Sequence, residues 1–161
     1  MEKNKTIILT TVAEKKLKNI FIQGPIQASF IAESIQKHSN KTGIGAHSIF
    51  LGQVRSDAVD DQQVLAIQYT CYEAMALEKM HTIREKIFEK YQLTCMHVHH
   101  SLGRVNAGEI SLFVFTSSEH RKAAIEACSE VVERIKNELP VWGKEILSGT
   151  EVERSKWKEN N

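Results

Sequence analysis

The sequence predicts an α+β domain, with helices packed on a mixed, largely antiparallel sheet. Three observations carry this. Residues 46–53 and 64–71 alternate at period two, which asks for strands, and residues 93–100 read as a third. Residues 72–91 and the stretch after Ser118 repeat apolar side chains at three- and four-residue steps, which asks for amphipathic helices. The elements follow one another as β-α-β-β-α-β-β-α, the order of a layered α+β sandwich.

The N-terminal part, through Lys18, is lysine-rich, and alternation around Thr6 to Val12 fits an edge strand or a loosely attached extension. Residues 1–19 are therefore set apart as an extension, and residues 20–161 as a single domain. Ile20 to Ile22 read as a short strand, with a turn at Gly24-Pro25. Ala28 to His38 carries Phe30, Ile31 and Ile35 at helical spacing, followed by a polar loop. In GAHSIFLGQVR, residues 45–55, Ala46, Ser48, Phe50 and Gly52 alternate with His47, Ile49, Leu51 and Gln53, giving a strand with both faces partly buried. Glycine inside a strand marks a bulge or a close backbone approach, and Gly52 is so placed. Ser56 to Gln63 is an acidic, polar loop, and Val64 to Cys71 a strand expected to pair antiparallel with the one before it.

Tyr72 to Tyr91 is a helix, with Met75, Leu77, Met80, Ile83 and Ile87 among its apolar positions. Leu93 to His100 is a strand bearing His97, His99 and His100. His97 and His99 share a face, but no carboxylate or cysteine is placed to complete a metal site, so none is expected. After a turn at Gly103 to Gly108, Glu109 to Thr116 is apolar on both sides and belongs in the middle of the sheet. The last helix opens on Ser117 or Ser118, either able to cap it. Ile125, Cys128, Val131, Val132, Ile135 and Leu139 mark its buried stripe, and Pro140 ends it. Lys136 falls on the rim of that stripe, where a buried stem and reduced hydration lower a lysine's pKa. On spacing alone the plainer reading is an amphipathic helix with a snorkelling lysine. Ser148 to Asn161 is polar, with Trp157 its one large apolar anchor.

The chain has 161 residues, 42% of them hydrophobic, enough for one core. A net charge of +1 argues against a general nucleic-acid binder, so anion binding must be local. The best place is the start of the last helix. There His120 and Arg121 add cationic donors to the outward N–H groups of a helix N-terminus, a combination suited to phosphate. No apolar run reaches membrane-span length, and Cys71, Cys95 and Cys128 are an odd number without ligand spacing. The expectation is a soluble cytoplasmic protein that binds neither membrane nor nucleic acid.

Taken together, GAHSIFLGQVR, the YxxYxxMA pattern at Tyr69 to Ala76, GRVNAGE at Gly103 to Glu109, and SSEHRKAAIEA followed by IKNELPVWGKE resemble the catalytic (large) subunit of molybdopterin synthase. The resemblance covers about Phe21 to Glu145, and the tail more weakly through Trp157. It implies an α/β hammerhead fold and a sulfurtransferase. The enzyme places two sulfurs on cyclic pyranopterin monophosphate, forming the dithiolene of molybdopterin. The sulfur comes from a thiocarboxylate on the C-terminal Gly-Gly of a small ubiquitin-like subunit. The implied assembly is a homodimer within a heterotetramer, with no further cofactor.

Residue by residue, the resemblance carries substrate phosphate and pterin binding onto Arg55, His120 and Arg121, and channel lining onto Phe50. It makes Lys136 an active-site lysine and puts Glu145 beside the partner's tail. The chain departs from the family at Trp142-Gly143-Lys144-Glu145, where relatives read W-K-K-E or W-K-R-E. The family's second lysine is Gly143 here. Because glycine loosens the backbone, Lys144 is expected to swing into the vacant place as a second catalytic lysine. A late family arginine has Arg154 as its counterpart. The departure keeps open a scaffold that binds partner and pterin with weakened turnover. A plain phosphometabolite-binding domain, using Arg55, His120 and Arg121 alone, is a third reading.

Overall fold

A computed structural model describes residues 16–149 and 154–157. The Thr6 to Val12 strand and the packing of Trp157 and Arg154 lie outside what it describes. Among the described residues the order is β1 (Phe21–Gln23), α1 (Ala28–Gln36), β2 (Ala46–Gln53), β3 (Ala58–Val59), β4 (Gln62–Cys71), α2 (Glu73–Lys90), β5 (Cys95–Asn106), β6 (Ile110–Ser118), α3 (Arg121–Glu138), β7 (Val141–Leu147) and β8 (Arg154–Trp157). The α+β reading holds. The strands form one sheet in the order β2-β6-β5-β4-β7-β8, with β1 parallel to β5 and β3 antiparallel to β4.

Strand β5 joins two halves of this sheet. Its first half pairs with β6, from Cys95↔Ser117 to His100↔Leu112. It then bends through Gly103, whose φ of 79° is open to glycine and strained for other residues. Beyond that point it pairs with β4, Ile67 opposite Val105. Strand β6 is buried along nearly its whole length, as its two-sided apolarity requires.

Each face has its own cover. Val98, Leu112 and Val114 pack under α2 and α3 against Met80, Ile83, Ile87, Val131 and Ile135. On the other face Phe113 and Phe115 pack with Ile26 and Ile31 of the α1 segment. Both phenylalanines are fully buried, and each contributes about 1.5–3 kcal/mol relative to exposure. A third cluster, Val54, Val64, Ile67, Val105 and Leu147, sits where β4, β5 and β7 meet.

Several sequence expectations change. Strand β2 pairs with β6 rather than with β4, because the apolar β6 needs a neighbour on each edge. Its His47, Ile49, Leu51 and Gln53 face is exposed in the single chain. The pairing shifts register at Gly52/Gln53, the bulge that Gly52 announced, and a Cβ on Gly52 would stand 3.1 Å from Leu112 Cβ. Neither serine caps α3. The N-cap is His120 without a side-chain bond, the Ser118 hydroxyl donates to the His120 carbonyl, and Ser117 Oγ is paired with His47 Nδ1 at 2.7 Å. Ile125 leaves the buried stripe and is 56% exposed, while Ala124 and Ala127 enter it, because α3 approaches the sheet closely on its small residues. The polar loop contains β3, and α3 is followed by a further strand, β7, central between β4 and β8.

Candidate functional site

Helix α3 starts where β6 ends, so it runs back over β6 and β2, and its last turn lies near the β2 exit. There the sequence-selected residues divide. Lys136 stands on the last turn and is exposed in the single chain. Its charge acts on His100, a side chain only 4% exposed on the helix-covered face of β5. His100 donates from Nδ1 to the Ser101 carbonyl at 2.8 Å, which leaves Nε2 with its lone pair. Burial first, then the Lys136 ammonium, hold its pKa down to about 4, against the backbone bond that favours protonation. The Tyr69 ring meets His100 edge-on at 5.2 Å, and Tyr69 Oη donates to Ser111 Oγ at 3.3 Å. Burial pushes the Tyr69 hydroxyl up.

Strand β7 adds Glu145, 9% exposed, on the same face. Its ladder pairs Gly143↔Tyr69, Lys144↔Gln68 and Glu145↔Ile67 with β4, and Lys144↔Trp157 with β8. Successive strand side chains point to opposite faces. Gly143 and Glu145 therefore share the face of Tyr69 and Ile67, and Lys144 lies on the other. Held by ladders on both sides, Lys144 faces away from the place of Gly143. That place is also tight: a Cβ on Gly143 would meet Ile67 Cγ2 at 2.9 Å and Tyr69 Cε1 at 3.4 Å. The sequence singled out Lys136 and Glu145 but missed Tyr69 and His100, which the β4–β5 register brings together.

Phe50 lies in a shallow groove between β2 and α3, with Ser48, Ile125, Cys128 and Val132. Arg55 follows β2 at the same end as Lys136. Its guanidinium reaches Asp57 at 3.2 Å and is 74% exposed, an ion pair worth at most about 1 kcal/mol and easily exchanged for a phosphate. His120 and Arg121 do not join it. They stand at the opposite end of α3, about 22 Å from Lys136 at 1.5 Å per residue, beside the Ala46 end of β2. Both are exposed there, and His120 Nε2 lies 3.5 Å from Glu119. One chain does not assemble the anion cluster read from the sequence.

A second grouping appears on the α1 side. The sequence reading assigns no cysteine a place beside His97 and His99, but the fold brings His38 and Cys95 to His97, donor atoms within 4.8 Å of one another. Lys18 Nζ lies 3.4 Å from His97 Nδ1, and burial first, then the Lys18 ammonium, depress His97 to about 4.

On this geometry the chain can be set beside known proteins. The family model described as MoaE protein matches residues 25–138. The catalytic subunit of molybdopterin synthase from Culex quinquefasciatus is 39% identical over 117 residues, 72% of this chain and 73% of that protein. That from Drosophila willistoni is 38% identical over 119 residues, 73% of this chain but 31% of that protein. The one from Oryza sativa subsp. japonica is 37% identical over 123 residues, 61% of its length. The chain thus spans about a third of the fly relative and three-fifths of the rice one. Among solved structures, molybdopterin synthase from Staphylococcus aureus superposes with a TM-score of 0.73 at 30% identity, over 86% of this chain and 95% of that one. A complex of subunits 1 and 2 of molybdopterin-converting factor from Helicobacter pylori shares the fold, with a TM-score of 0.67 at 24% identity over 78% of this chain and 82% of that one. Matched over most of its length, and on the same fold, the chain belongs to the MoaE family, that of the molybdopterin synthase catalytic subunits.

Proposed function

We propose that this protein is the large subunit of a molybdopterin synthase, moving sulfur from the C-terminal thiocarboxylate of a small ubiquitin-like subunit onto cyclic pyranopterin monophosphate. The observation that carries the reading is the convergence of Lys136, His100, Tyr69 and Glu145 at the Arg55 end of the sheet, in a chain of this family. Nucleophilic sulfur must approach an electrophilic carbon while a phosphate ester opens and protons move. Lys136 moves or holds the proton, or stabilises developing charge. Arg55 takes phosphate oxygens with paired donors. Docking of the tail and pterin over the exposed Lys136 adds to its desolvation.

His120 and Arg121 fit this site only through a second copy. A homodimer that sets one copy's α3 N-terminus beside the other's Arg55 unites the three anion-binding residues, and the exposed Ile49 and Leu51 give β2 an apolar face of its own. A small subunit at each end then makes a heterotetramer. We place this assembly, over residues 20–161, in the cytoplasm: all three cysteines are free, which suits a reducing compartment. No helix among the described residues is long and apolar enough to cross a membrane.

The scaffold reading has one observation in its favour: Lys144 lies on the wrong face to replace the lysine that Gly143 lacks. Reconstitution separates the two. The chain is mixed with a thiocarboxylated Gly-Gly-ending small subunit and the pterin, and both mass and dithiolene product are followed. Sulfur transfer predicts a heterotetramer and product. A heterotetramer without product supports the scaffold, and neither outcome appearing would overturn both.

A further inference from the structure

We propose that His38, Cys95 and His97 form a binding site for a thiophilic divalent transition-metal ion, of which zinc(II) is the type. The site is separate from the sulfur-transfer chemistry. His97 lies on the α1 face of β5 and His100, three residues on, on the face covered by α2 and α3. The inference stands whether or not the chain transfers sulfur.

The three ligands come from two places in the chain. His38 sits in the turn that follows α1, and Cys95 and His97 lie two residues apart on β5, hence on one side of the strand. The two Nε2 atoms are 3.1 Å apart, and all three donor atoms lie within 4.8 Å of one another. Tetrahedral bonds of about 2.0–2.1 Å to nitrogen and 2.3 Å to sulfur put ligand atoms roughly 3.3–3.6 Å apart. The imidazole pair already stands near that spacing, so an ion needs adjustments of tenths of an ångström between the rings and a turn of the cysteine side chain.

The surroundings match a metal site in a further respect. His38 Nδ1 faces the Ser34 carbonyl at 2.7 Å, and a carbonyl only accepts, so this nitrogen carries the hydrogen and Nε2 presents a lone pair to His97. A ligating histidine held through its other nitrogen by a backbone carbonyl is the usual second-sphere arrangement. Phe115 walls the site on one side, its ring 4.9 Å from that of His38 and 6.0 Å from that of His97. His38 is buried, while Cys95 and His97 are half-exposed, which leaves an entry path and room for water as the fourth ligand.

The donor set selects the ion. Two imidazoles and a thiolate suit zinc, copper or cobalt, and the absence of a carboxylate among the three disfavours magnesium and calcium. Without metal, Lys18 donates to His97 Nδ1, and His97 Nε2–H donates to His38. On binding, His97 moves its hydrogen from Nε2 to Nδ1, the exposed Lys18 ammonium turns to water, and the Cys95 thiol gives up its proton. The balance is one proton released per ion. The bound ion would clip the end of α1 to the middle of the sheet.

The test is a titration of the metal-free full chain with cobalt(II), then with zinc(II) in competition. The proposal expects one ion per chain, a thiolate-to-cobalt charge-transfer band with the intense visible bands of tetrahedral cobalt, and one proton released. Cys95→Ser removes the charge-transfer band and weakens zinc binding by about a hundredfold or more, whereas Cys71→Ser leaves both unchanged. His38→Gln provides the second reading should Cys95→Ser fail to fold by circular dichroism. It keeps the thiolate but loses the tetrahedral bands and at least tenfold in affinity. A featureless cobalt spectrum in the wild type, a charge-transfer band that persists in Cys95→Ser, or tetrahedral bands that persist in His38→Gln overturns the site.

Discussion

Acid should destabilise this protein through His100, and by a calculable amount. Its ring is almost wholly buried and its pKa is held at about 4, against an ordinary value of 6.5. Between those values the unfolded chain binds a proton that the native ring refuses. Stability therefore rises with pH across the window from about 4 to 6.5 and falls as the medium is acidified through it. The full shift is worth on the order of 3 kcal/mol, and going from about pH 7 to pH 5 removes about 2 kcal/mol of it. Against a total of roughly 5–15 kcal/mol, that is a visible fraction. Other histidines add to the acid sensitivity, so the readout is a difference. Urea denaturation of wild type and His100→Gln is compared at the two pH values. The variant starts less stable but should lose about 2 kcal/mol less on acidification. Equal losses in the two proteins would refute the assignment of a buried neutral ring beside Lys136.

Two further predictions concern the departures from the family pattern. Gly143→Lys should lower stability by about 1–3 kcal/mol, because its Cβ meets the buried Ile67 at 2.9 Å. It should nevertheless raise the rate of sulfur transfer, whereas Lys144→Ala should be mild. A strong loss of turnover in Lys144→Ala would mean that the opposite strand face does reach the substrate. For the split anion site, Arg55→Ala and Arg121→Ala should each weaken pterin binding by on the order of 1.5–3 kcal/mol and leave small-subunit affinity nearly unchanged. Co-expressed, the two variants should regain about a quarter of wild-type sites, since in a two-fold dimer one site of each mixed pair is intact. No recovery would place both arginines in a site made by one chain.

The strands and helices that the sequence made legible are those whose partners are generic. An alternating run such as residues 64–71 needs only some apolar cover, and the α3 stripe only some sheet. Strand β7 was hidden because it follows Pro140 directly and mixes glycine, lysine and glutamate, all poor strand formers, and its ladder to β4 spans some seventy residues of chain. Ile125 sits at helical spacing yet points outward, since periodicity gives the direction of a face but not the width of the contact. The site was legible in residue type and not in place. Lys136, Arg55 and Glu145 could be named, but that His120 and Arg121 lie a helix length away follows only from where α3 starts and ends. Tyr69 beside His100, and His38 beside Cys95 and His97, depend on register and topology, which no local signal encodes.

The central claim is that Lys136 carries proton transfer or charge stabilisation in moving sulfur to the pterin. The most direct measurement is single-turnover product formation by Lys136→Ala, with thiocarboxylated small subunit and pterin at saturating concentration. The account predicts a fall of about 10²–10⁴ in rate, with circular dichroism and small-subunit affinity unchanged, because the exposed lysine supports little of the core. Turnover at the wild-type rate would contradict it, whichever residue stands at position 143.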